Sequence, residues 1–158
     1  EIISIIKENF DYVLLDSPAG IENGFRSAAA PATEALIVVT PDVSSVRDAD
    51  RVVGLLENNG IEGISLIINR YDPNLVAKRK TLDKDDIIDV LGLDLIGVIP
   101  EDKEIIDSEN RGEILSIVGK SLSVQSFDNI AKRIEGEDVP FLEIPKEKRG
   151  FLDLFRRK

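Results

Sequence analysis

Four continuous apolar runs, at residues 12–16, 35–40, 64–69 and 95–100, constrain this chain more than any other feature. Each is unbroken rather than alternating, as expected of strands covered on both faces, and each is bounded by turn residues. Helical patterns lie between them. Ser44 or Ser45 is placed to cap a helix that reaches Asn58, with Val46, Val53, Leu55 and Leu56 inward and Asn59-Gly60 as its stop. A second helix is expected over 82–91, ending at Gly92, and further helices over 102–108 and 121–134. Ile2, Ile3, Ile5 and Ile6 recur at helical spacing, so the chain is expected to open inside or just after a helix and to be cut from something longer. Strands alternating with helices predict an α/β fold with mostly parallel strands and flanking helices.

Ligands of such sheets bind beyond the carboxyl ends of the strands. All four predicted strand exits carry polar or backbone-exposing residues: Asp16-Ser17-Pro18, Thr40-Pro41-Asp42, Asn69-Arg70 and Pro100-Glu101-Asp102. A strand-end carboxylate such as Asp16 can hold a nucleotide-bound Mg²⁺ through one of its waters. The Pro18-Ala19-Gly20 turn lets backbone approach a phosphate without side-chain bulk. An amide such as Asn69 can meet the donor and acceptor edge of adenine, and Arg70 can lie along a ring or pair with a carboxylate. Pro100 offers a face to a base, and Glu101 and Asp102 stand at a helix start, where capping alone also accounts for them. Within the 158 residues no G-x-x-x-x-G-K-[ST] phosphate loop accompanies these residues.

Composition narrows the function classes. There is no cysteine and no histidine, which removes disulfides, thiolate metal sites and the usual acid–base residue. The net charge of −10 argues against general nucleic-acid binding. No stretch approaches the roughly 20 apolar residues that span a bilayer, and residues 1–7 do not have the pattern of a secretory signal. A cytoplasmic location is therefore expected.

The charge is unevenly placed. Residues 146–158 hold six Lys/Arg and two Asp/Glu, a net of +4, which leaves −14 on the rest. On a helix, Phe151, Leu152, Leu154 and Phe155 share one face, with Arg156 and Arg157 opposite and Lys158 at the end. That pattern suits the interface of an anionic membrane, although packing onto the body or docking in a partner's groove remain open. Arg47, Asp48, Asp50 and Arg51 near a helix start form either a solvated charged face or a protein-contact surface. The expected division is a body over 1–135, a polar linker over 136–148 and an amphipathic membrane-targeting helix over 149–158.

With these residues in view the chain resembles the ParA/MinD superfamily of deviant Walker-A ATPases. The resemblance rests on residues 15–22, 43–51, 69–71 and 97–102 and on the closing Lys148-Arg149-Gly150-Phe151-Leu152. The tail points to the septum-placing branch over the DNA-segregating one. The resemblance implies a partial P-loop NTPase-like sheet, ATP with Mg²⁺ as cofactors, and ATP hydrolysis in the full protein. It makes Asp16 the Mg²⁺-linked carboxylate, Gly20 part of a phosphate-sensing switch, and Asn69, Arg70, Pro100, Glu101 and Asp102 the surroundings of adenine. It places Asp48, Asp50 and Arg51 on the face used for homodimerisation and for the division inhibitor MinC and the activator MinE. The tail becomes a peripheral anchor at the inner face of the cell membrane. Because the phosphate loop lies outside these residues, the chain alone is expected neither to bind nor to hydrolyse ATP well. The rival expectations are a non-catalytic membrane adaptor and a related ATPase that positions flagella or other polar structures.

Overall fold

The computed structural model of the chain describes residues 2–17, 23–114 and 120–146. Its element order is α1 (Ile2–Lys7), α2 (Asn23–Ala29), β1 (Glu34–Val39), α3 (Val43–Asn58), β2 (Gly63–Tyr71), α4 (Pro73–Ala77), α5 (Lys84–Leu91), β3 (Asp94–Pro100), α6 (Lys103–Asn110) and α7 (Leu122–Ile134). The expected α/β class holds. β1, β2 and β3 form a parallel sheet in that order, with Ile37 opposite Leu66 and Ile67 opposite Gly97.

Local chemistry sets the boundaries. α3 begins two or three residues earlier than the Ser44 or Ser45 cap implied, because the Asp42 carboxylate accepts from the Ser45 amide at 2.9 Å. Such a cap is worth about 1 kcal/mol. α5 carries a capping box between Asp83 and Asp86 and stops at Gly92, whose φ of 64° is the left-handed conformation that glycine adopts without steric cost. α4 and α2 have no counterpart in the sequence reading; both are too short for a periodicity to stand out.

One face of the sheet is closed by α2, α3 and α5. There Ile37, Val39, Leu66 and Ile68 pack with Phe25, Val46, Val53, Leu56 and Ile87. On the other face α7 lies over β3, where Ile130 packs with Ile67 and Ile99. Gly97 makes that approach possible: a Cβ there would overlap the Ile130 side chain.

Two expectations are corrected. The 12–16 run is not a strand; it has no regular structure, and Tyr12 and Leu14 are exposed, Leu14 at 83%. A strand requires a neighbour to satisfy its amides and carbonyls, and neither edge of the three-stranded sheet pairs with this run. Coverage of both faces also fails for β1. Ile37 and Val39 are buried, whereas Leu36 and Val38 on the opposite face stay 41% and 57% exposed. An apolar strand with one bare face and one free edge is sequence suited to more cover than the described residues provide.

Candidate functional site

Because the strands are parallel, the exits of β1, β2 and β3 lie at one end of the sheet. At the β1 exit, the Thr40 hydroxyl donates to Asp42 and the Thr40 amide donates to Ser45 Oγ at 3.1 Å. The Thr40 hydroxyl, followed by the Ser45 amide, holds the Asp42 carboxyl below the usual carboxylate range. At the β2 exit the pairing register slips between Ile68 and Tyr71. Arg70 takes a φ of 57°, a left-handed conformation that is sparse for non-glycine residues and costs about 1–3 kcal/mol. Its amide donates to Asn69 Oδ1 at 2.9 Å, which orients the Asn69 side chain.

The same kink swings the Arg70 guanidinium onto Glu101 at the β3 exit. Nε donates to Oε2 at 2.9 Å and Nη2 to Oε1 at 3.4 Å, and the Glu101 amide donates to the Tyr71 carbonyl at 3.0 Å. β2 and β3 are therefore tied at their ends by backbone and side chain together. Asp102 caps α6 through the Glu104 amide at 2.9 Å. Burial pushes its carboxyl up, but bonds from Ser121, the Glu104 amide and Ser123 outweigh that and leave it lowered. Pro100 is buried, with its carbonyl accepting from Ser123 Oγ at 3.5 Å.

The site residues read from the sequence thus fall into three groups. Asn69, Arg70, Glu101 and Asp102 come together at one end of the sheet; Pro100 is there too, but inward. Asp48 and Arg51 pair at 3.7 Å on the exposed surface of α3, with Asp50 exposed on the same helix. Asp16 is exposed within the irregular 12–17 segment. Gly20 and the tail residues Phe151, Leu152, Leu154, Phe155, Arg156, Arg157 and Lys158 lie outside the described residues. No group of three acidic side chains placed to hold a metal occurs among the described residues. The described residues therefore bring an amide and an arginine–carboxylate pair together at the strand exits.

Sequence reasoning missed the bracing beside these exits. Tyr71, buried at the end of β2, donates its hydroxyl to Asp83 Oδ1 at 2.7 Å. Burial, then the bond to Asp83, pushes the phenol well above its ordinary value, and the same bond holds the Asp83 carboxyl down. The helix expected over 82–91 carries Asp83 as its cap, but nothing local marks a tyrosine twelve residues away as that aspartate's partner.

No family model matches the chain. Among curated proteins, the septum site-determining protein MinD of Synechocystis sp. is 48% identical over 159 residues, which is 99% of this chain and 59% of that protein. The chain belongs to the MinD family. It corresponds to the family's carboxyl-terminal portion and spans about three-fifths of the length of that relative. Among solved structures, MinD in the MinC:MinD cell division protein complex of Aquifex aeolicus matches with a TM-score of 0.85 and 43% identity, over 90% of this chain and 60% of that one. MinD of Pyrococcus horikoshii, solved with Mg-ADP, matches with a TM-score of 0.74 and 27% identity, over 85% and 54%. Among the described residues, no helix is long and apolar enough to cross a membrane.

Proposed function

We propose that this chain supplies the base-facing wall, part of the phosphate-sensing switch, a partner surface and the membrane anchor of a MinD-type ATPase that places the division septum. The observation that carries the reading is 48% identity to a MinD along 99% of the chain, together with the gathering of Asn69, Arg70 and Glu101 at one end of the sheet. The Arg70–Glu101 pair holds two exits in fixed relation, and the half-buried Asn69 keeps its amide NH₂ available to a base ring nitrogen. Asp16 takes the role of Mg²⁺-linked carboxylate, and the segment around Gly20 senses the terminal phosphate, once a phosphate loop stands opposite them. Mg²⁺ would screen the phosphate charge, and its waters are what Asp16 would hold.

In this reading ATP closes a homodimer, and Asp48, Asp50 and Arg51 on α3 lie on the surface that meets the second subunit, a MinC-type inhibitor and a MinE-type regulator. The MinC:MinD complex of Aquifex aeolicus supports the inhibitor as a partner. Residues 149–158 bind anionic lipid at the inner face of the cell membrane. Two joined tails hold far better than one, because the second binds at high effective concentration. The test is a membrane assay on the 158-residue chain. Co-sedimentation should require anionic lipid and be lost when Phe151 and Phe155 are both changed to Asp; binding unaltered by those changes would refute the anchor.

A further inference from the structure

Residues 78–80 read Lys-Arg-Lys, and no other three consecutive described residues are cationic. All three are exposed on a chain of net charge −10, and no ion pair engages them among the described residues. Their backbone is fixed. The Arg79 amide donates to the Val76 carbonyl at 2.8 Å and the Lys80 amide to the Leu75 carbonyl at 3.0 Å, the paired bonds of a Schellman turn that closes α4. Arg79 takes a φ of 54°, a position that glycine fills freely and a residue with a Cβ does not. A cation is therefore held at the one place in the turn where sterics favour having no side chain.

The turn's position in the fold gives it a use. It follows β2 directly, and the Leu82 amide donates to the Pro41 carbonyl at 3.0 Å, so it is pinned to the end of the sheet where β1 and β2 exit. The chain after α7 leaves from the opposite end, near the start of β3, and runs back toward that end. Arg133 fastens it: Nε and Nη2 donate to the Val139 carbonyl at 3.0 and 2.8 Å, Nη1 donates to the Ile96 carbonyl at 2.8 Å, and the guanidinium lies 4.1 Å from the centre of the Phe141 ring. Further on, Ile144 packs on the main core and Lys146 comes close enough to Asp83 to help hold its carboxyl down. The basic residues 146–158 thus begin beside the same corner as the 78–80 turn. The neighbouring acids are already engaged: Asp83 by Tyr71, Asp85 by Lys84 at 4.0 Å, and Asp86 by the Asp83 amide at 3.3 Å.

We propose that the Lys78-Arg79-Lys80 turn is a second contact for anionic phospholipid headgroups, which orients this corner of the molecule toward the bilayer while the tail inserts. The inference rests on the membrane reading of the tail. Phosphate is the chemistry recognised. The turn presents its cations outward, as a headgroup layer requires, and they do not converge on a cleft that would suit one free phosphate. Cations near an anionic surface each strengthen binding about fivefold.

The test is co-sedimentation of the full chain with phosphatidylcholine vesicles, with and without phosphatidylglycerol. Arg79→Gly should weaken binding to anionic vesicles about fivefold while melting no lower than the parent, since it relieves the left-handed turn, and Arg79→Lys should bind like the parent. Changing Lys78 and Lys80 to Gln as well should weaken binding further, by more than tenfold in all. Undiminished binding in the triple variant would overturn the proposal, as would inorganic phosphate displacing the parent protein more than chloride does at equal ionic strength. Retained binding after Phe151→Asp with Phe155→Asp would instead overturn the tail reading, so the two failures are distinguishable.

Discussion

Tyr71 is where buried packing and the wall's electrostatics meet. Its hydroxyl bond lowers the Asp83 carboxyl, so that interaction stabilises the fold above the carboxyl's unfolded value near 3.8 and is lost as pH falls through the lower folded value. The phenol, raised by burial, works in the opposite direction: its contribution is whole below pH 10 and is lost in alkali. Tyr71→Phe should therefore cost about 1–2 kcal/mol at neutral pH and narrow its disadvantage to the parent below about pH 4, read by thermal melts across pH. At Gly97 the constraint is steric. Gly97→Ala drives a methyl into Ile130 and should destabilise by about 1–3 kcal/mol, with Ile130→Val recovering part of the loss. Neither residue could be weighted from sequence, because each matters through a contact distant along the chain. Arg70 was legible as a site residue from its place at a strand exit; its left-handed φ and its grip on Glu101 were not, since they follow from the register slip beside it.

At the scale of elements, three of the four apolar runs became strands close to the positions their composition indicated. α3 and α5 stopped at the expected Asn59-Gly60 and Gly92, although α3 took Asp42 as its cap in place of Ser44 or Ser45. The run at 12–16 has the same composition and no strand. Composition states what a segment can pair with, and pairing depends on the neighbour that is present. The segment after α7 teaches the converse. Its polar residues and Pro140 and Pro145 read as a connector, yet Arg133, Phe141 and Ile144 fasten it across the β3 edge. Arg133→Ala removes three hydrogen bonds and a ring contact. Amides of 137–144 should then exchange at least tenfold faster by hydrogen exchange, with those of β2 changed far less; unaltered exchange in 137–144 would show that the apolar contacts alone hold the segment.

For the whole molecule, the bare face of β1 and the unpaired 12–16 run describe the same deficit from two sides. Leu36, Val38, Tyr12 and Leu14 are large and exposed, and an apolar area of that kind marks a surface built for cover. The chain should bind a dye for exposed apolar surface and lose that signal when a polypeptide bearing the phosphate-loop portion of a MinD-type protein is added. The central claim is that this chain holds the base-facing part of a nucleotide site and requires that other portion to complete it. Calorimetry with Mg-ATP tests it most directly. The account predicts no micromolar binding to the 158-residue chain alone, micromolar binding once the phosphate-loop portion is supplied, and at least tenfold weaker binding of that mixture when Asn69 becomes Ala. Micromolar binding by the chain alone, or a mixture indifferent to Asn69, would contradict it.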